Sequence, residues 1–134
     1  MAWGISLLTP SFTINHVFLK AAGGLLLICG ITLLGSAVLA FIQHKTSVNP
    51  VNLDQTQCLV TNGFYRYSRN PMYLGFLLLL VGQVACLTIL TALIAPMIFY
   101  AVMTTLQIKP EEKALTLKFG EAYIAYCQKT RRWL

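Results

Sequence analysis

Two polar segments interrupt an otherwise apolar chain, and their residue types could do chemistry. The first ends in Asn62-Gly63-Phe64-Tyr65-Arg66-Tyr67-Ser68-Arg69-Asn70-Pro71-Met72-Tyr73. Here three aromatic rings and two guanidinium groups stand between a turn signal, Asn62-Gly63, and a helix start at Asn70-Pro71. The second is the tail from Lys109, which holds three of the chain's four carboxylates, Glu111, Glu112 and Glu121. An anionic group placed there could hold a cation or a hydroxylated ligand. Composition alone has a plainer account of both. Tyrosine and arginine flanking an apolar helix form an interfacial belt. In the tail, Pro110 can open a helix whose first turn is complemented by Glu111 and Glu112. Leu115, Phe119, Tyr123 and Tyr126 then give it one apolar face, as in a helix lying on a membrane.

The elements that must position these segments are membrane spans. Of 134 residues, 57% are hydrophobic and 10% charged, and mean hydropathy is +0.68. Fourteen charges cannot cover a water-facing surface, which in soluble domains is about a quarter Asp, Glu, Lys and Arg. Soluble, disordered and disulfide-stapled classes are thereby excluded, and the length allows one domain, residues 1–134. Ala21 to Ile42 is an uncharged run of 22 residues, about 33 Å as a helix, enough for one crossing. Met72 to Ile108 is an uncharged run of 37, about 55 Å, too long for a single crossing. It must fold back as a hairpin, with the turn expected around Thr88 to Thr91 and a kink at Pro96. The expected architecture is all-α: an integral membrane bundle with spans at about 18–42, 72–88 and 91–108, a loop over 43–71 and a tail over 109–134.

Nine of the ten lysines and arginines follow residue 43, in the loop and the tail. Both segments are therefore expected on the cytoplasmic side, with the N-terminus outside and the C-terminus inside. Met1 to Asn15 lacks the basic start of a signal peptide. The net charge of +6 then records topology and not nucleic-acid binding, since no aromatic-plus-basic platform accompanies it. Gly23, Gly30 and Ala37 recur every seven residues on the first span, a pattern that lets helices approach closely, within the monomer or at a homodimer seam. Cys29, Cys58, Cys86 and Cys127 follow no metal or redox spacing and are expected as free thiols. His16 and His44 have no partner at ligand spacing, so no metal site is expected.

Taken in order along the chain, the motifs are similar to those of the isoprenylcysteine carboxyl methyltransferase family, grouped with the membrane phospholipid methyltransferases. They are Gly63-Phe64-Tyr65, Arg69-Asn70-Pro71-Met72-Tyr73-Leu74-Gly75, Glu111-Glu112-Lys113-Ala114-Leu115, Phe119-Gly120-Glu121-Ala122-Tyr123 and the basic end Arg131-Arg132-Trp133-Leu134. Each is weak alone; the ordered set, with a hairpin between its halves, covers about residues 45–134. The resemblance implies a cytoplasmic loop and tail that enclose S-adenosylmethionine, with a lipophilic methyl acceptor arriving from the bilayer. It places the cofactor contacts at Gln57, Cys58, Leu59, Val60, Tyr65, Asn70, Pro71, Met72, Tyr73 and Glu111. Asn70 stands where eukaryotic members have histidine, keeping hydrogen bonding without a titratable ring. Gln107 stands where prenylcysteine enzymes have an arginine that meets the substrate, which marks it as the acceptor contact. Larger members have further helices before this core.

What the resemblance implies is chemistry without a catalytic triad, because methyl transfer from a sulfonium is an in-line displacement in which alignment supplies much of the rate. Two other classes compete with it. A transporter subunit usually carries ionisable groups inside its spans, and neither uncharged run has one. A non-catalytic membrane scaffold would share the shape and lack turnover. Gly75, where the hairpin enters the membrane, is expected beside a lateral opening for the acceptor.

Overall fold

In the first helix, α1 (His16–Gln43), apolar side chains point in every direction, as suits a helix surrounded by lipid. Val17, Phe18 and Leu25 are all more than 60% exposed, and no water-soluble core would leave them so. A computed structural model describes residues 16–44 and 58–134 of the chain. It is an all-α membrane bundle; among the described residues the sole strand-like pairing is an isolated bridge between Ser68 and Arg131. Two helical stretches are long and apolar enough to cross a membrane, His16–Gln43 and Thr91–Phe119. The shorter apolar helix α2 (Pro71–Leu87) pairs with α1 along most of its length.

That pairing is built from glycine. Gly23, Gly30 and Ala37 are the buried small residues of α1, and Gly75 and Gly82 are their counterparts on α2. A methyl group added at Gly30 would sit 2.9 Å from the Gly75 carbonyl oxygen, and one added at Gly82 would sit 2.9 Å from the Gly23 carbonyl oxygen. The backbones therefore touch, and the seven-residue stripe is occupied within the monomer. Gly75 does not border an opening. A β-carbon there would lie 2.7 Å from Leu34 Cγ, so the expectation of lateral access at this residue is corrected: Gly75 is a helix–helix contact.

The hairpin turns where the 37-residue run was expected to fold back. Thr88 adopts the left-handed conformation (φ 57°) and donates its N–H to the Val84 carbonyl, ending α2. A β-branched residue is costly there, about 1–2 kcal/mol, and no glycine is present to relieve it. A short 3-10 turn over Leu90–Leu93 leads into α3 (Ile94–Val102). Pro96 falls in the first turn of α3, where its missing N–H matters least.

The irregularity lies further on, over Met103–Ile108, where the chain forms a turn of π-helix. Its cause is readable in the sequence. Pro110 has no N–H to offer and its ring crowds the carbonyl of Leu106, so the ladder lengthens and the Lys109 N–H reaches back five residues to Thr104. Thr104 and Thr105 add side-chain bonds to the Tyr100 and Ala101 carbonyls (2.7 and 2.8 Å), which also bend helices. The tail helix α4 (Lys109–Phe119) is thus continuous with the span and does not start afresh at Pro110. Nor is the tail one amphipathic helix. Gly120, at φ 55°, breaks it, and α5 (Glu121–Lys129) leaves in a new direction that buries Tyr123 and Tyr126.

Candidate active site

At the charged end of the bundle three elements converge: the turn before α2, the first turn of α4, and α5. Ile108 is the last residue of the uncharged run and is fully buried; Lys109 is the first charge after it. Just beyond, Glu111 and Glu112 are adjacent in sequence but about 100° apart around the helix, and they have entirely different partners.

Glu111 accepts a hydrogen bond from the Tyr73 hydroxyl (3.2 Å). The Gln107 side chain, one turn before Glu111, interacts with the same hydroxyl. Burial pushes the Glu111 carboxyl up to about 7; the Tyr73 bond opposes the rise and the charge of Glu112 adds to it. Tyr65 lies behind this group, itself buried, with its ring edge-on to Phe41 at 5.4 Å and its carbonyl accepting a 2.6 Å bond from the Tyr126 hydroxyl. Burial raises the Tyr65 phenol, with Tyr126 and Glu111 adding to the effect, so it stays neutral at any physiological pH. Gln107, Tyr73 and Glu111 form one cluster, with Tyr65 next to it.

The other residues that the family resemblance singled out are placed differently. Val60 and Met72 belong to the apolar cluster with Ala37 and Tyr65, and Pro71 is fully buried at the start of α2. Cys58 directs its thiol toward the His44 carbonyl at 3.5 Å, and Leu59 is half-buried beside it in the chain. The Asn70 side-chain amide donates to the Arg132 carbonyl (2.9 Å). Gln57 lies outside the described residues.

Glu112 does the opposite work. It receives a bidentate pair of bonds from Arg132, 2.9 Å each, and a 3.3 Å ion pair from Arg69. The Arg69 guanidinium continues to Cys127 Sγ at 2.7 Å. Backbone bonds complete the junction: the Arg69 N–H donates to the Arg131 carbonyl, and Trp133 donates to the Thr104 hydroxyl at the π turn while lying 5.0 Å from the Tyr100 ring. The strap over residues 130–133 therefore holds together the start of α2 and the start of α4. Sequence spacing carries no signal for this, since Arg69 and Arg132 are 63 positions apart. Glu112 is the hinge pin of the strap. Glu112→Gln should lower stability by roughly 1.5–3 kcal/mol, the scale for a hydrogen bond between charged groups. Thermal unfolding in detergent checks it, and a midpoint equal to wild type would show that the strap is held by its backbone bonds alone.

The described residues contain no group of three metal-ligating side chains, and Cys29, Cys58, Cys86 and Cys127 are unbonded to one another. What remains is a carboxylate, an amide and phenols at the boundary of an apolar bundle. Comparison with known proteins decides the family. The family model described as phospholipid methyltransferase matches residues 18–122, most of the chain, including Tyr65, Tyr73, Gln107, Glu111 and Glu112. The chain belongs to that family. Among curated relatives it is 33% identical over 129 residues to the protein-S-isoprenylcysteine O-methyltransferase of Schizosaccharomyces pombe, covering 90% of this chain and 52% of that one. It is 27% identical over 114 residues to protein-S-isoprenylcysteine O-methyltransferase A of Arabidopsis thaliana, covering 85% and 58%. An uncharacterised protein of Haemophilus influenzae is 43% identical over 63 residues, which is 47% of this chain and all of that one. The chain thus spans a little over half the length of the two named methyltransferases. No solved structure matches it. Glu111 and Glu112 both fall within the matched region.

Proposed function

We propose that the protein transfers a methyl group from S-adenosylmethionine to a small lipophilic acceptor that reaches it from the bilayer. The observation that carries this reading is the division of labour between two adjacent carboxylates. Glu112 is saturated by arginine, whereas Glu111 accepts from Tyr73 and has most of its acceptor capacity left, since a carboxylate offers about four lone-pair sites. A half-buried carboxylate with free lone pairs fits ribose hydroxyls or an ammonium group. That is the fit the cofactor requires.

When bound, S-adenosylmethionine supplies a methyl carbon made electrophilic by a sulfonium centre. The chain's own residues would bind and orient. Glu111 accepts hydrogen bonds from the cofactor, and Tyr73 offers a ring face suited to a cation or a base. Cys58, Leu59, Val60, Asn70, Pro71 and Met72 would line the pocket through backbone and side-chain packing, with Gln57 from the preceding segment. Gln107, within reach of Tyr73 and on the lipid side of Glu111, is assigned to the acceptor. Its amide can donate to a carboxylate or carbonyl but cannot pair with it as an arginine would. The acceptor therefore need not be a prenylcysteine carboxylate; a lipid headgroup or quinone-like oxygen suits an amide equally.

Two measurements test the reading. Purified protein titrated with S-adenosylmethionine should show saturable binding, and a radiolabelled-methyl screen against extracted lipids should label an organic-soluble product. Absence of any cofactor binding would return the protein to the scaffold class. The accompanying topology has three crossings with a cytoplasmic C-terminus, and it follows from the basic residues of the loop and tail. Thr61 is exposed, so a Thr61→Cys probe in an otherwise cysteine-free chain should react with an impermeant thiol reagent only from the cytoplasmic side of sealed vesicles. Labelling from outside would overturn it.

A further inference from the structure

On the face of α4 turned away from Glu111 lies a groove of about 600 Å³, lined among others by Arg69, Lys109, Glu112, Lys113, Leu117 and Arg132. At 100° per residue, its α4 residues Lys109, Glu112, Lys113, Thr116 and Leu117 occupy an arc of about 140°, and Glu111 lies roughly opposite the centre of that arc. The groove is therefore not the methyl-transfer site. Four cations meet one carboxylate in it, and that carboxylate is already shared by the two arginines. Lys109 and Lys113 are exposed, one turn apart, and their ammonium groups make no hydrogen bond or ion pair among the described residues. Like charges at that spacing repel. Arg69 adds a second unmet demand, because its Nε is buried without a hydrogen-bond partner among the described residues.

We propose that this groove binds the phosphate of an anionic membrane lipid. A phosphate brings the missing negative charge and the acceptor oxygens that guanidinium and ammonium groups recognise. The source is a lipid and not a free anion because of where the groove starts. Lys109 is the first charge after the apolar helix, the level at which headgroup phosphates lie and where a lysine stem can run along apolar surface. Further along, Leu117, 89% exposed, gives the same wall an apolar element that a free phosphate could not use.

The test uses the full chain in an uncharged detergent, with dioctanoyl phosphatidylglycerol, dioctanoyl phosphatidylcholine and inorganic phosphate as probes. Phosphatidylglycerol should raise the unfolding midpoint saturably and stay bound in native mass spectra; the other two should do neither at the same concentration. K109Q/K113Q should leave the midpoint without lipid undiminished, or slightly raised by the lost repulsion, and weaken phosphatidylglycerol binding by about tenfold or more, the scale for two lysines near an anionic surface. No binding of phosphatidylglycerol, equal binding of phosphatidylcholine, or undiminished binding by the double variant would each overturn the proposal. Inorganic phosphate acting as well as the lipid would also overturn it, leaving a site for free phosphate.

Discussion

Glu111→Gln is expected to weaken S-adenosylmethionine binding and, at pH 8, to stabilise the fold. Both effects come from one group. The carboxylate is half-buried and its pKa is raised by burial to about 7 from an ordinary 4.5. Between those two values the folded chain holds a proton that the unfolded chain has lost, so this group's contribution to stability falls as pH rises through about 7. At 1.36 kcal/mol per pKa unit the rise corresponds to an upper bound of about 3 kcal/mol by pH 8. Glutamine keeps the shape and the bond to Tyr73 without the charge, so the variant should unfold at higher temperature than wild type at pH 8 and match it below about pH 4.5. The cofactor experiences the reverse. Its hydroxyl and ammonium donors lose a charged acceptor, at a cost of about 1.5–3 kcal/mol, or roughly tenfold to a hundredfold in Kd. Wild-type binding should itself weaken as pH falls from 8 to 6, and binding by the variant should be flat. Equal affinity of the two at pH 8 would show that the Glu111 carboxylate takes no part in cofactor binding.

The second large effect concerns the contact between α1 and α2. Gly75→Leu should abolish cofactor binding and turnover together, because it separates the helices and does not gate a substrate. Even the first added carbon lies 2.7 Å from Leu34 Cγ and 3.1 Å from the Gly30 carbonyl oxygen, and the latter is backbone that cannot turn aside. Overpacking of a tight interface typically costs 1–3 kcal/mol. Four added carbons against a touching backbone should exceed about 3 kcal/mol and deplete folded protein. Gly24 and Gly35 supply the control, since a β-carbon at either meets nothing within 4 Å. Gly24→Leu and Gly35→Leu should leave stability within about 0.5 kcal/mol of wild type, as substitutions away from packed contacts do. Thermal unfolding of the three variants side by side distinguishes a packing role from a general intolerance of leucine on these helices. If Gly75→Leu stays folded, binds cofactor and loses only turnover, the lateral-access role returns.

The amino-acid sequence by itself determined the all-α membrane class and the place of the hairpin turn, because both depend on the lengths of uncharged runs, a property of composition along the chain. It also determined that Gly23, Gly30 and Ala37 form a contact face, since seven-residue spacing places them on one side of any helix. The partner of that face was undecided until Gly75 and Gly82 were seen to meet it. Local chemistry carried one step more: Pro110 removes an N–H and crowds the preceding turn. Its effect was misread as a helix start, because a helix already running can absorb the loss by forming a π turn. The roles of Glu111 and Glu112 are where sequence reasoning stops. Both are acidic residues in a first turn, and no spacing rule tells them apart. The 100° between them turns one toward Tyr73 and Gln107 and the other toward Arg69 and Arg132, the latter brought from the far end of the chain by the break at Gly120. Which carboxylate is consumed by the fold and which is left for a ligand depends on contacts between residues as many as 43 positions apart, Arg69 and Glu112. Only the tertiary structure decides that.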